Sequence, residues 1–118
     1  MLFFLLSISS AYSQTNYNSV QEVQLEIDKI SVKIHRGIDR IAILKQQQSQ
    51  GGSDLQVNIN NAESSQTTMA GEVLQLEELK SVMNGSGIIT IKREVFDLLT
   101  EQQQDHISSL PQQYHIID

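Results

Sequence analysis

The sequence predicts a mainly α-helical protein: a long heptad helix packed with a shorter helix, as a helical hairpin or coiled coil, followed by a small C-terminal strand–helix–strand cap. Three observations predict it: apolar residues at heptad spacing over residues 20–44, a shorter run at helical spacing over 69–83, and a β-like run before a capped helix beyond residue 85. A chain of 118 residues has room for one small domain. We divide it into a signal peptide (1–13), a short N-terminal extension (14–18), a helical hairpin or coiled-coil region (19–84, with a linker over 51–65) and a small α/β cap (85–118).

The N-terminal segment, MLFFLLSISSAYS, has features of a signal peptide. Residues 2–6 form an uncharged apolar core, and Ala11 and Ser13 are small residues at the two positions that signal peptidase reads. No Lys or Arg precedes the apolar run, which departs from the usual pattern. A short core strand or helix is the alternative. We expect cleavage after Ser13 and therefore export, to the periplasm or the medium.

The long helix is predicted by alternating steps of three and four residues over eight positions, of which seven are apolar and one is Gly37. Ser19 and Glu22 match the capping box, so the helix begins at about residue 20, and Gly51-Gly52 follows its end. We call the apolar positions the interaction seam, which consists of Val20, Val23, Ile27, Ile30, Ile34, Ile41 and Leu44.

Two short strands, over 23–27 and 30–34, are the alternative for the first part of this segment, because apolar residues also alternate there. Asp28-Lys29 would be a poor hairpin turn, since the favoured turns need positive φ, and we favour the helix. In a helix, Leu25 and Val32 form a second apolar row, which predicts contact with more than one neighbour.

The second helix is predicted over about 66–83 and ends before Asn84-Gly85. Residues 51–65, rich in Gly, Ser, Asn and Asp, are the predicted linker, in which alternating apolar residues at 55, 57 and 59 allow a short strand. Such a helix is shorter than the first by about 11 residues, so about 16 Å of the seam would lack a cover. We expect a second copy of the chain to cover it, with the cap as the alternative.

The C-terminal third is predicted to form the cap. Residues 88–91 are β-like, residues 93–99 have helical spacing, and residues 114–117 suit a terminal strand. Thr100 and Gln103 match a capping box that opens another helix, which continues to about residue 110.

Candidate chemistry is scarce, and we predict no catalytic residue, no cofactor site and no metal ligand. The chain has no cysteine, which excludes disulfides, thiolate metal sites and a cysteine nucleophile. His35, His106 and His115 lack a second histidine at helical spacing and are expected in solvent. Glu77 and Glu78 are expected on a solvated helix face, because a catalytic carboxylate pair needs burial.

A row of cations runs along the heptad helix at spacings of 4, 3 and 4 residues. Such a row suits an anionic partner, such as a lipid headgroup, a polysaccharide or an acidic helix. We expect instead that it pairs within the chain, with Glu26, Asp39 and the acidic second helix. We call this row the basic flank, which consists of Lys29, Lys33, Arg36 and Arg40.

Charge and hydropathy restrict the function. A formal net charge of −6 argues against nucleic-acid binding. Membrane contact is possible but not favoured. No apolar run reaches the roughly 18 residues of a membrane-spanning helix. We expect a small exported, non-enzymatic protein that acts through helix-mediated interaction or self-association, with a protein partner or as a homo-oligomer. The alternative is a peripheral component of a cell envelope or secretion apparatus, held by the basic flank or an uncleaved N-terminus. An enzyme with an unrecognised site is the remote alternative.

Overall fold

The described part of the chain is a helical hairpin with a small cap on one side. A computed structural model describes residues 17–51 and 53–118. The predicted signal peptide (1–13) and all but two residues of the extension 14–18 lie outside the described residues. The elements in order are α1 (Val20–Ser49), a 3-10 turn (Ser53–Leu55), α2 (Gln56–Met83), β1 (Ile89–Lys92), α3 (Arg93–Phe96), α4 (Glu101–Ser108) and β2 (Tyr114–Ile117). The predicted fold class is confirmed: two long helices pack against each other, and a strand–helix–strand region follows.

Helix α1 is continuous through Asp28-Lys29, so the alternative of two short strands is wrong. At its start, the Ser19 hydroxyl accepts a hydrogen bond from the Glu22 backbone N–H at 3.2 Å. The Glu22 carboxylate accepts the N–H of Asn18 at 2.9 Å, not that of Ser19, so only half of the predicted capping box forms. The helix ends before Gly51, whose φ of +110° favours glycine.

The predicted linker over 51–65 is wrong, because α2 begins at Gln56 and is 28 residues long, nearly as long as the 30 residues of α1. The short strand suggested at 55–59 is likewise part of the turn and the helix. Asn58, Asn60 and Asn61 are exposed whereas Ile59 is 1% exposed, so the polar residues form the solvent side of a helix. The expected uncovered length of about 16 Å along the seam is therefore absent, because α2 is nearly as long as α1. A second copy of the chain is not needed to cover it.

The interaction seam supplies the centre of the hairpin. Four of its residues are at most 6% exposed, and three at its two ends are half-buried. The buried four belong to one apolar core together with Ala70, Val73, Leu74 and Leu76 of α2. The hydrophobic free energy of this core is the main stabilising term of the hairpin. The buried four are Val23, Ile27, Ile30 and Ile34.

Gly37, the exception in the heptad spacing, gives space to a buried amide from α2. The Gln66 side chain, 1% exposed, donates from Nε2 to the Ile34 carbonyl oxygen at 2.8 Å. A Cβ added at Gly37 would lie 2.8 Å from that Nε2 and closer to the Gln66 Oε1. A side chain at residue 37 would therefore force the buried Gln66 amide to move from this position.

The cap packs on a second side of α2. Strands β1 and β2 are parallel, with Ile89 opposite Tyr114 and Lys92 opposite Ile117. The Thr100 hydroxyl accepts the Gln103 N–H and the Gln103 side chain accepts the Thr100 N–H, so this predicted capping box is confirmed. The helix predicted over 93–99 ends at Phe96 and a turn follows. The cap adds to the same core the apolar residues Ile91, Val95, Leu99, Ile107 and Tyr114.

A charge in the seam should unfold the hairpin, whereas the same charge on the outside of α1 should not. We expect Ile34→Asp to lower the free energy of unfolding by about 3 to 5 kcal/mol, because it leaves an unpaired charge in the core. Val32 is the matched control: it is also β-branched, two residues away, and 47% exposed. Val32→Asp should cost less than about 1 kcal/mol. Urea unfolding curves measure both, and equal losses would contradict packing along the seam.

Candidate functional site

The basic flank is exposed and does not form the predicted intramolecular pairs. All four side chains lie in solvent. Within residues 17–51 and 53–118, the ion pairs are His35–Glu94, Lys45–Glu63, Lys80–Glu77 and Arg93–Asp118, and none involves the flank. The expectation of pairing with Glu26, Asp39 and the second helix is therefore wrong for this part of the chain. The cations of the flank, Lys29, Lys33, Arg36 and Arg40, are open to a partner.

Three large aliphatic side chains lie exposed on the same side of α1. Leu25 is 68% exposed, Val32 47% and Ile43 55%. Spacings of 7 and 11 residues bring them to one face of a helix, which lies opposite the seam. The predicted contact of Leu25 and Val32 with a further neighbour is absent within the described chain. We define the outer face of α1 as these three residues together with the basic flank.

Of the adjacent carboxylates near the end of α2, Glu78 is buried and Glu77 is half-buried, so their predicted position on a solvated helix face is wrong. Glu77 has a side chain 12% exposed and pairs with Lys80 at 3.3 Å. The Lys80 ammonium also donates to Gln24 Oε1 of α1 at 2.6 Å. Glu78 points to the other neighbour of α2: it is 7% exposed, and its Oε2 accepts from the Tyr114 hydroxyl at 2.6 Å.

Burial raises the pKa values of Glu77, Glu78 and Tyr114. Desolvation raises the pKa of Glu78 to about 7, although the hydrogen bond from Tyr114 opposes the shift. Desolvation also raises the pKa of Glu77, and its ion pair with Lys80 opposes that shift. Burial and the neighbouring Glu78 raise the pKa of the Tyr114 phenol. Glu78 Oε1 has no hydrogen-bond partner among the described residues, which is an expensive state for a buried acceptor.

A cavity of about 620 Å³ adjoins Glu78, between the end of α2 and the cap. Val82, Ile89 and Leu110 give it apolar walls, and His106 and Gln113 lie among its polar lining. The His106 ring meets the Tyr114 ring edge-on, with centroids 5.9 Å apart. The cavity has the size and the mainly apolar lining with few polar groups that characterise sites for small molecules.

The histidines offer no metal site. His35 is exposed, and its Nδ1 lies 2.9 Å from Oε1 of Glu94. The hydrogen bond to Glu94 and the charge of this carboxylate raise the pKa of the imidazole. His106 lines the cavity, and His115 is exposed in β2. In the part of the chain that the structure describes, no three His, Asp or Glu side chains come together as metal ligands.

Sequence reasoning located the outer face in part and missed Glu78. The row 70, 74, 78 and 81 on α2 holds Ala, Leu, Glu and Ser at helical spacing, and all four are buried. This mixed row runs beside the row through Gln66 and Val73 that faces α1. A search for a second row of small or apolar residues on α2 could have found Glu78.

Comparison with models of protein families, with curated proteins and with solved structures finds no match for this chain. None of the described helices has a stretch apolar enough, at sufficient length, to cross a bilayer.

We expect the stability of the protein to depend on pH through Glu78. Its native pKa of about 7 exceeds the ordinary value of 4.5, so the native state binds more protons between these values than the unfolded state does. The contribution of Glu78 to stability should therefore be greatest below about pH 4.5, fall as the pH rises toward 7, and be smaller by on the order of 3 kcal/mol above pH 7. Glu78→Gln should remove this loss and be the more stable protein at pH 8.

Urea unfolding from pH 4.5 to 8 tests this expectation. The other ionisable groups nearby are Glu77 and Lys80 of α2 and His106 and Tyr114 of the cap, and all four are also present in the Glu78→Gln protein. Glu77→Gln is the control with the same change in charge, and it should keep most of the pH dependence. A Glu78→Gln protein that still loses stability as wild type does would contradict the assignment.

Proposed function

We propose that this chain is a small exported, non-enzymatic interaction protein that binds an acidic amphipathic helix of a partner protein through the outer face of α1. One observation carries the proposal. Three exposed aliphatic residues lie on the side of α1 opposite the seam, next to four cations that have no ion pair within the described chain.

The order of residues on the outer face suits a helical partner. Leu25, Lys29, Val32 and Arg36 follow each other at steps of 4, 3 and 4 residues, and Ile43 continues the row one heptad later. These are the steps by which one helix meets another along a seam. An incoming helix would contact aliphatic side chains and cations in turn, so leucines flanked by glutamates would complement both.

A second copy of the chain fits this face poorly. A symmetric dimer places the same patch on both subunits, so the cations of one copy would lie against the cations of the other. Like charges in contact disfavour association. A second copy is also not needed to cover the seam, because α2 is 28 residues long and leaves no part of the seam for a second copy to fill.

A membrane surface also fits less well than a helix. Helices that lie in the membrane interface carry a broad apolar face, often with Trp or Phe. Here the aliphatic residues are three, none is aromatic, and Asp39 lies on the same side between Arg36 and Ile43. An anionic lipid headgroup would meet that carboxylate, whereas a protein partner can place a lysine or a polar residue there.

A synthetic three-heptad helix with leucine at the a and d positions and glutamate at e and g is the probe. We expect it to bind the wild-type protein and to bind Arg36→Glu about tenfold more weakly, because like charges then meet in the interface. Lys92→Glu is the matched control: it makes the same change in charge on the exposed surface of the cap and should bind as wild type does.

Three outcomes would overturn the proposal. Equal binding of a peptide with lysine in place of the glutamates would show that charge does not select the partner. Binding to phosphatidylglycerol vesicles without binding to the acidic peptide would assign the face to a membrane. A dimer that dissociates on Arg36→Glu would assign it to a second copy.

Export has its own test. The small residues Ala11 and Ser13 support cleavage before Gln14. Mass spectrometry of the protein made by its natural host should find Gln14, or its cyclised form, at the N-terminus. A mature pool that begins with Met1 would contradict export by this route.

A further inference from the structure

The cavity beneath the cap is separate from the outer face of α1 and carries an inference of its own. It measures about 620 Å³, and Glu78 is part of its lining. The walls around this carboxylate are mainly aliphatic, from Val82, Ile89 and Leu110. A buried carboxylate beside an apolar space is costly unless something compensates its charge.

The existing contacts give a hydrogen-bond partner to only one of the two carboxylate oxygens of Glu78. Tyr114 donates one short hydrogen bond to Oε2, and Oε1 has no partner among the described residues. Glu77, the neighbour in sequence, has the Lys80 ammonium at 3.3 Å, but no cation forms an ion pair with Glu78 in the described chain. The last torsion of a glutamate side chain is soft, so the carboxylate can turn to present Oε1 to a guest.

The chemistry of the site selects a cation. An ammonium group donates hydrogen bonds and also neutralises the carboxylate, which an alcohol does not do. A carboxylate guest would add a second negative charge to the same space. The rings of Tyr114 and His106 and the aliphatic walls suit an apolar body attached to that ammonium.

We infer that the cavity between α2 and the cap binds a small apolar molecule with one ammonium group, which donates to Glu78 while its apolar body lies against Val82, Ile89 and Leu110. Binding is reversible and involves no covalent step. The site does not rest on the partner proposed for α1, since the two surfaces have no residue in common.

Phenethylammonium is the probe, with phenethyl alcohol and phenylacetate as its neutral and anionic counterparts. Calorimetry at pH 8, where the Glu78 carboxylate is mostly ionised, should find the amine bound at least about tenfold more tightly than either counterpart. Amide resonances of Gly85, Gly87 and Gln113, which line the cavity, should shift on titration. Those of Leu25 and Val32 on the outer face should not.

Variants locate the acceptor. Glu78→Gln should weaken binding of the amine at least about tenfold, because it removes the charge and keeps the volume. Glu77→Gln makes the same change one residue away, outside the cavity lining, and should leave binding unchanged. Val82→Trp places a larger side chain in the cavity lining from an exposed helix position and should also abolish binding, which keeps the test valid if Glu78→Gln does not fold.

Several results would overturn the inference. The first two are failure of the amine to bind wild type and binding of phenethyl alcohol or phenylacetate at least as tightly as the amine. The other two are equal losses of amine affinity in Glu77→Gln and Glu78→Gln and amide resonance shifts confined to residues outside the cavity. Nα-acetyl-lysine amide, whose side-chain ammonium is free, stands for a lysine of a peptide. Tighter binding of this compound than of phenethylammonium would also overturn the inference, because the ligand would then be a lysine side chain.

Discussion

Helix α2 is buried along two of its sides, and the rest of the described chain is arranged to cover them. The side that carries Gln66 contacts α1, where the amide donates to the Ile34 carbonyl oxygen, and the side that carries Glu78 contacts Tyr114 of the cap. Over residues 69–81 no residue of α2 is exposed, and a helical segment buried so far around its circumference is stable only with neighbours on more than one side. The cap is therefore part of the core of the hairpin rather than a separate domain.

This arrangement has opposite consequences for the two long helices. Helix α1 has only one neighbour along most of its length, which leaves its outer face in solvent with aliphatic and basic side chains exposed. Helix α2 has a neighbour on each side, which takes two glutamates out of water at its C-terminal end. The exposed outer face of α1 and the cavity beside Glu78 thus both follow from the same packing of the helices.

The sequence predicted the parts of the fold that depend on local pattern. The heptad steps from Val20 to Leu44 are specific to a helix, and the Thr100 capping box is local chemistry, so both were predictable. The start of α2 was not, because polar residues such as Asn58 and Asn60 suit a loop and a solvent-facing helix side equally well. The row 70, 74, 78 and 81 indicates a second buried side of α2, but which element covers Glu78 there is a tertiary contact that the local pattern does not specify.

The contact between Gly37 and Gln66 determines how the two long helices can align. A sliding of α2 by one heptad would bring the Gln66 amide opposite Ile30 or Leu44, where a side chain occupies the space that Gly37 leaves open. The amide would then be buried without the Ile34 carbonyl, and such a group costs free energy wherever it lacks a partner. A single polar residue in an apolar seam thereby selects one register among several of similar hydrophobic content. In evolution, these two positions should change together, since a larger residue at one requires a smaller residue at the other.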